Sequence, residues 1–165
     1  MSKAQKIIIL ILAAALVAVS ILAWVTLGRE PDTVAGQFTA PALDPAALAG
    51  RPDVPAELGW SELPVREGYS VRVSGELAAD GEGRVPVWFY SDGENQVWVK
   101  LRMLDGEGNV LGETGVLRPG EYVQAMTLST VPKRTGPVTL VVVGYEPETY
   151  YSAGSVSLST TLRIP

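Results

Sequence analysis

Neither cysteine nor histidine occurs anywhere in this chain of 165 residues. The first absence excludes a disulfide framework, a thiol nucleophile, a thiolate metal site and a cysteine for lipid attachment. The second removes the usual general base and the commonest zinc ligand. A basic surface is missing as well. Of 13 Lys and Arg, Lys3 and Lys6 precede the first apolar run, which leaves 11 against 18 Asp and Glu over residues 28–165, a net charge of −7. That balance speaks against nucleic acid as a partner. Catalysis is left with carboxylates, serines and lysines. No spacing singles out a carboxylate pair for glycoside chemistry, and Ser152, Ser155, Ser157 and Ser159 lie outside any GxSxG elbow or SxxK motif. The chain is therefore expected to be no enzyme and to carry no cofactor.

What the chain does have is one long apolar run. Ile7 to Leu27 (IIILILAAALVAVSILAWVTL) holds no charge, and as a helix it rises about 30 Å, the hydrocarbon thickness of a bilayer. Lys3 and Lys6 lie ahead of it, with Arg29, Glu30 and Asp32 behind, so residues 1–6 are expected in the cytoplasm and the rest outside. A cleaved signal peptide has a shorter apolar region; Thr33-Val34-Ala35 is the late site at which cleavage would fall. The expectation is a single-pass cell-membrane protein with residues 7–27 as a signal anchor in the lipid bilayer. Residues 28–59 hold Pro31, Pro41, Pro45, Pro52 and Pro55 among alanines and read as a linker. Within it, Asp44 to Gly50 has the residues for one capped helical turn. Residues 60–165 form the expected extracellular domain.

In that domain the apolar period is two. Tyr69 to Ala79, Arg84 to Tyr90, Val97 to Leu104, Val110 to Glu113, Tyr122 to Leu128, Val138 to Tyr145 and Ser155 to Ile164 each alternate or run apolar between turn residues. About seven short strands with this punctuation predict an all-β antiparallel sandwich of immunoglobulin or fibronectin type III kind.

The motif Asp-Gly-Glu recurs at 80, and again at 105, with Asp92-Gly93-Glu94 between them. Asp-Gly suits a two-residue hairpin turn, whereas a calcium site needs six to eight converging oxygens. Successive turns lie at alternate ends of a sandwich, so only Asp80 and Glu82 with Asp105 and Glu107 have a geometry for sharing an ion. Tight turns are the favoured reading and calcium the weaker one.

Aromatic residues supply the candidate contact surfaces. A hairpin folding back at Ser91 to Gln96 would set Trp88 opposite Trp98 on one face, a stacked pair suited to a sugar ring or a partner. Tyr145, Tyr150 and Tyr151 flank a loop, GYEPETYYSAG, between the last two strands. Structural anchoring is the common fate of both patterns.

The stretches GETGVLRPGEYV and YEPETYYSAG, within residues 60–165, resemble small proteins of Gram-positive bacteria that carry one N-terminal membrane helix and an extracellular β-sandwich. No activity is attached to that group, so the resemblance implies an architecture and a location and carries over no catalytic residues. The combined expectation is a membrane-anchored, surface-displayed interaction or assembly accessory of the cell envelope with a protein partner. A module binding cell-wall glycan through exposed tryptophans is the alternative.

Overall fold

The computed structural model describes residues 39–64 and 68–165. The anchor 7–27, the tail 1–6, the late cleavage site and residues 28–38 of the expected linker lie outside them. The strands are β1 (Leu48–Ala49), β2 (Ser61–Pro64), β3 (Ser70–Val73), β4 (Leu77–Ala78), β5 (Arg84–Ser91), β6 (Trp98–Leu104), β7 (Val110–Glu113), β8 (Glu121–Thr127), β9 (Gly136–Tyr145) and β10 (Ser152–Arg163). They make two five-stranded sheets. Sheet I has the order β1-β8-β5-β3-β2 and sheet II the order β4-β10-β9-β6-β7. Every neighbouring pair is antiparallel except β4 with β10.

The core follows from the alternation. Val71, Val85, Val87 and Phe89 from sheet I meet Val99, Leu101, Met103, Leu140 and Val142 from sheet II in one buried cluster. Period two puts these side chains on the inner faces, and their burial from water is what holds the sheets together.

Three features depart from the pattern read in the sequence. Tyr69 to Ala79 is not one strand but two: β3 belongs to sheet I and β4 to sheet II. The chain crosses at Ser74 to Glu76, where Ser74 N–H donates to the Val87 carbonyl at 2.8 Å and Glu76 N–H to the Leu58 carbonyl at 3.1 Å. The inward period survives the crossing, which is why it looked continuous. Secondly, β5 and β6 belong to different sheets, so residues 92–97 arch across the sandwich and do not form a hairpin.

Thirdly, the compact unit begins at Ala40, well inside the stretch read as linker. Asp44 does cap a turn, its Oδ1 accepting from Ala46 N–H at 2.8 Å, but its Oδ2 accepts from Gly115 N–H at 2.7 Å, and no helix follows. Residues 48–49 pair with β8 as β1 instead, because one isolated helical turn is unstable against a waiting strand edge. Gly115 is required at this contact: a Cβ there would lie 2.4 Å from Asp44 Cα. Further along, a short 3₁₀ turn, Ala56–Leu58, ends at Gly59 in the left-handed region and supplies the carbonyls that hold the β3–β4 crossing.

Candidate functional site: two aromatic groups on opposite sheets

The arch places Trp88 on sheet I and Trp98 on sheet II, so the expected tryptophan pair does not exist. Each ring has other partners.

On sheet I, β5 carries one extra residue between Pro86 and Phe89, a bulge at which Trp88 has φ of 41°. A bulky side chain in that region is strained, and it persists here because its surroundings fix it. Trp88 stacks on Tyr122 at 6.3 Å with 12° between the planes. Its carbonyl accepts from Trp60 Nε1–H at 2.8 Å. Trp60 in turn packs on Tyr90 at 6.0 Å and lies under the guanidinium groups of Arg72 at 5.2 Å and Arg51 at 5.6 Å. Arg72 is held by Glu62 at 2.6 Å. Trp60, Tyr122 and the two arginines were not singled out in the sequence. The signal available for Trp60 was its place at the end of the proline-rich stretch, where a large aromatic has no role in a free linker.

On sheet II, Tyr145 ends β9 in register with Trp98 of β6. Tyr150 folds back so that its ring meets Trp98 edge-on at 5.4 Å and Tyr145 at 6.2 Å. Arg118 covers Trp98 at 6.0 Å. The loop is tightly closed. Glu146 N–H donates to the Tyr151 carbonyl at 2.8 Å and Tyr150 N–H to the Glu146 carbonyl at 3.0 Å, and both Glu148 and Tyr150 have positive φ. Below it, Tyr69 Oη–H donates to the Gly154 carbonyl at 3.2 Å, and the Tyr69 ring crosses Gly144 so closely that a Cβ there would be 2.8 Å away. The outcome of this closure is that Tyr151, alone of the three loop tyrosines, stands in solvent, 72% exposed.

The Asp-Gly-Glu loops are turns, built differently from the expected two-residue form. Positive φ falls on Gly83 and Gly108, the fourth residue of the first and last copies, and not on the Asp-Gly pair. Asp80 Oδ1 accepts from Glu82 and Arg84 N–H at 2.9 and 2.8 Å; Asp105 Oδ1 accepts from Glu107 and Asn109 N–H at 2.8 and 2.9 Å. The Asn109 side chain, followed by its backbone N–H, holds the Asp105 carboxyl below the usual carboxylate range. Thus Asp80 and Asp105 serve their own loops, and among the described residues no three acidic side chains converge as metal ligands would.

One further charged group lies on the outer face of sheet II. Lys100, its side chain 9% exposed, donates to Glu113 at 2.6 Å, and Arg102 donates to the other oxygen at 3.1 Å. Partial burial pushes the Glu113 carboxyl up, but the Lys100 hydrogen bond and charge, with Arg102, outweigh it and hold the group below its usual range. An open groove of about 610 Å³ runs beside Trp88, between Leu58, Ala78, Pro86 and Gln124. No protein-family model matches the chain, and no curated protein does.

Proposed function

We propose that the chain is a non-catalytic protein-interaction module of the bacterial envelope, tethered by residues 7–27 with its β-sandwich outside the cell. Its contact is the Tyr145 to Gly154 loop, the partner another envelope protein. The observation that carries this reading is Tyr151, an exposed aromatic on a loop closed by main-chain hydrogen bonds. A loop whose main chain is already closed has less backbone entropy to lose on binding, and a tyrosine adds a large contact area with only two side-chain torsions to order, which is why tyrosines on such loops recur at interfaces. Support for the tether is the uncharged run and its flanking charge, and for the envelope the likeness to small Gram-positive anchored proteins. The finer fold reading is immunoglobulin-like: the first long strand is divided between the sheets, and its second half, β4, runs parallel to the last strand.

Photo-crosslinking from position 151 in intact cells tests it, with the buried Val99 as control. A single saturable protein adduct at 151 is the expected result; adducts no more frequent at 151 than at 99 contradict the reading. The glycan alternative loses its stacked pair and keeps one ring, Trp88 beside the groove. For that alternative, cell-wall glycan should quench tryptophan fluorescence in the native chain and not in Trp88→Ala.

A further inference from the structure

Four of the strands that bound the sheets are guarded. β1 and β4 have two residues each, β2 has four and ends in Pro64, and β7 is capped where Ser129 N–H and Oγ–H donate to the Leu111 carbonyl at 2.7 and 2.9 Å. β10 is not. It pairs with β9 from Ser152 to Leu162, yet on its other side only Leu162 and Arg163 meet β4.

The direction of its main-chain groups follows from its ends. The Arg163 carbonyl accepts from Ala79 N–H at 2.9 Å on the β4 side, while Ile164 N–H donates to Thr135 Oγ1 at 3.0 Å on the β9 side. The register with β9 is unbroken from Ser155 to Leu162, so period two turns the N–H and C=O groups of Ser155, Ser157 and Ser159 away from β9. Among the described residues no strand meets them there. Charge and proline, the ordinary guards of an edge, are absent from Ser155 to Thr161. Val156 and Leu158, which pack on the core from this strand, stay only partly buried.

We propose that this edge pairs antiparallel with the same edge of a second copy, with the two-fold axis at Ser157. The sequence Ser155-Val156-Ser157-Leu158-Ser159 fits its own reverse. Ser157 faces Ser157, Ser155 faces Ser159 with reciprocal main-chain hydrogen bonds, and on the inner face Val156 meets Leu158 and covers it. A two-fold interface demands such self-complementarity, and serine opposite serine brings no like charges together. The inference does not rest on the tyrosine-loop reading.

The absence of cysteine makes the register directly testable in the full chain in lipid vesicles, under a copper–phenanthroline oxidant. Directly opposed residues in a hydrogen-bonded pair have Cα atoms about 5.5 Å apart, within disulfide reach, whereas position 155 in the two copies is offset by about 13 Å. Ser157→Cys should dimerise at least about tenfold faster than Ser155→Cys or Ser159→Cys alone, and the last two should link when mixed. Adding Ser157→Lys to both should abolish that mixed link by opposing two ammonium groups. Equal rates at 155 and 157, as association through the anchor alone would give, overturn the proposal. So does Ser157→Cys linking to a different protein when the same oxidant is applied to membranes of the cells that make the chain, which would mean that another chain's strand takes the edge.

Discussion

Sheets I and II each gather tryptophan, tyrosine and arginine side chains into one group, yet only the sheet II group has beside it an aromatic ring turned out to solvent. On sheet I the rings of Trp60, Trp88, Tyr90 and Tyr122 and two guanidinium groups close on one another. On sheet II Trp98, Tyr145 and Tyr150 close in the same way, but Tyr151 does not join them. The difference is in the backbone. Positive φ at Glu148 and Tyr150 reverses the chain, so that consecutive tyrosines part, one onto Trp98 and one into solvent. Aromatic content therefore does not by itself mark a contact surface; the local fold decides which ring is spent on packing.

Substitutions can break that comparison. Trp60→Ala removes a ring, the hydrogen bond to the Trp88 carbonyl and the support beneath Tyr90, and should cost about 2–4 kcal/mol in urea denaturation, less than a core tryptophan because Trp60 is only half-buried. A loss under about 1 kcal/mol would mean that the sheet I group is not structural.

Next in size is Glu113→Gln, which leaves the Lys100 ammonium, 9% exposed, without its carboxylate. A cost of about 1–3 kcal/mol is expected at neutral pH, reduced from that of a buried pair because Glu113 is 42% exposed. The pH dependence has a definite sign. The folded Glu113 carboxyl lies below its unfolded value, so its stabilisation is full above the unfolded carboxylate range and is lost as pH falls through the folded one. Denaturation midpoints of the wild type and Glu113→Gln should converge in acid; midpoints that stay a constant distance apart would count against the ion pair.

Asp44→Ala, which frees Gly115 N–H from its acceptor and opens the capped turn, should cost about 1–2 kcal/mol. It should also speed amide exchange along β8 next to β1. Unchanged exchange there would mean that residues 40–50 do not guard the edge. The smallest effect belongs to Tyr151→Ala, within about 0.5 kcal/mol of wild type in the same denaturation.

Much of the sandwich was legible because burial of alternate residues fixes strand positions wherever one face is inward. Val85, Val87 and Phe89, or Val99, Leu101 and Met103, could hardly lie elsewhere. The sheet to which a strand belongs is not written in that period: the β3–β4 crossing preserves it through Gly75, and the arch from Ser91 to Val97 has the length of a hairpin loop. Residues 40–59 were illegible for another reason. They are held by main-chain pairing and a few single contacts, such as Asp44 to Gly115, which leave no period to read. Of the candidate residues, the tyrosine loop was visible as a cluster, but which tyrosine stays exposed depends on φ angles at non-glycine residues that sequence does not announce. The tryptophan pairing failed with the hairpin that would have produced it.

The most direct test sets Tyr151→Ala beside Trp60→Phe, with partner capture in intact cells read from a photoreactive residue at Thr149 and stability read by denaturation. The account predicts that Tyr151→Ala keeps its midpoint and loses the adduct, while Trp60→Phe lowers the midpoint and keeps the adduct as long as the domain is folded. An adduct that survives Tyr151→Ala undiminished would contradict the assignment of contact to this loop.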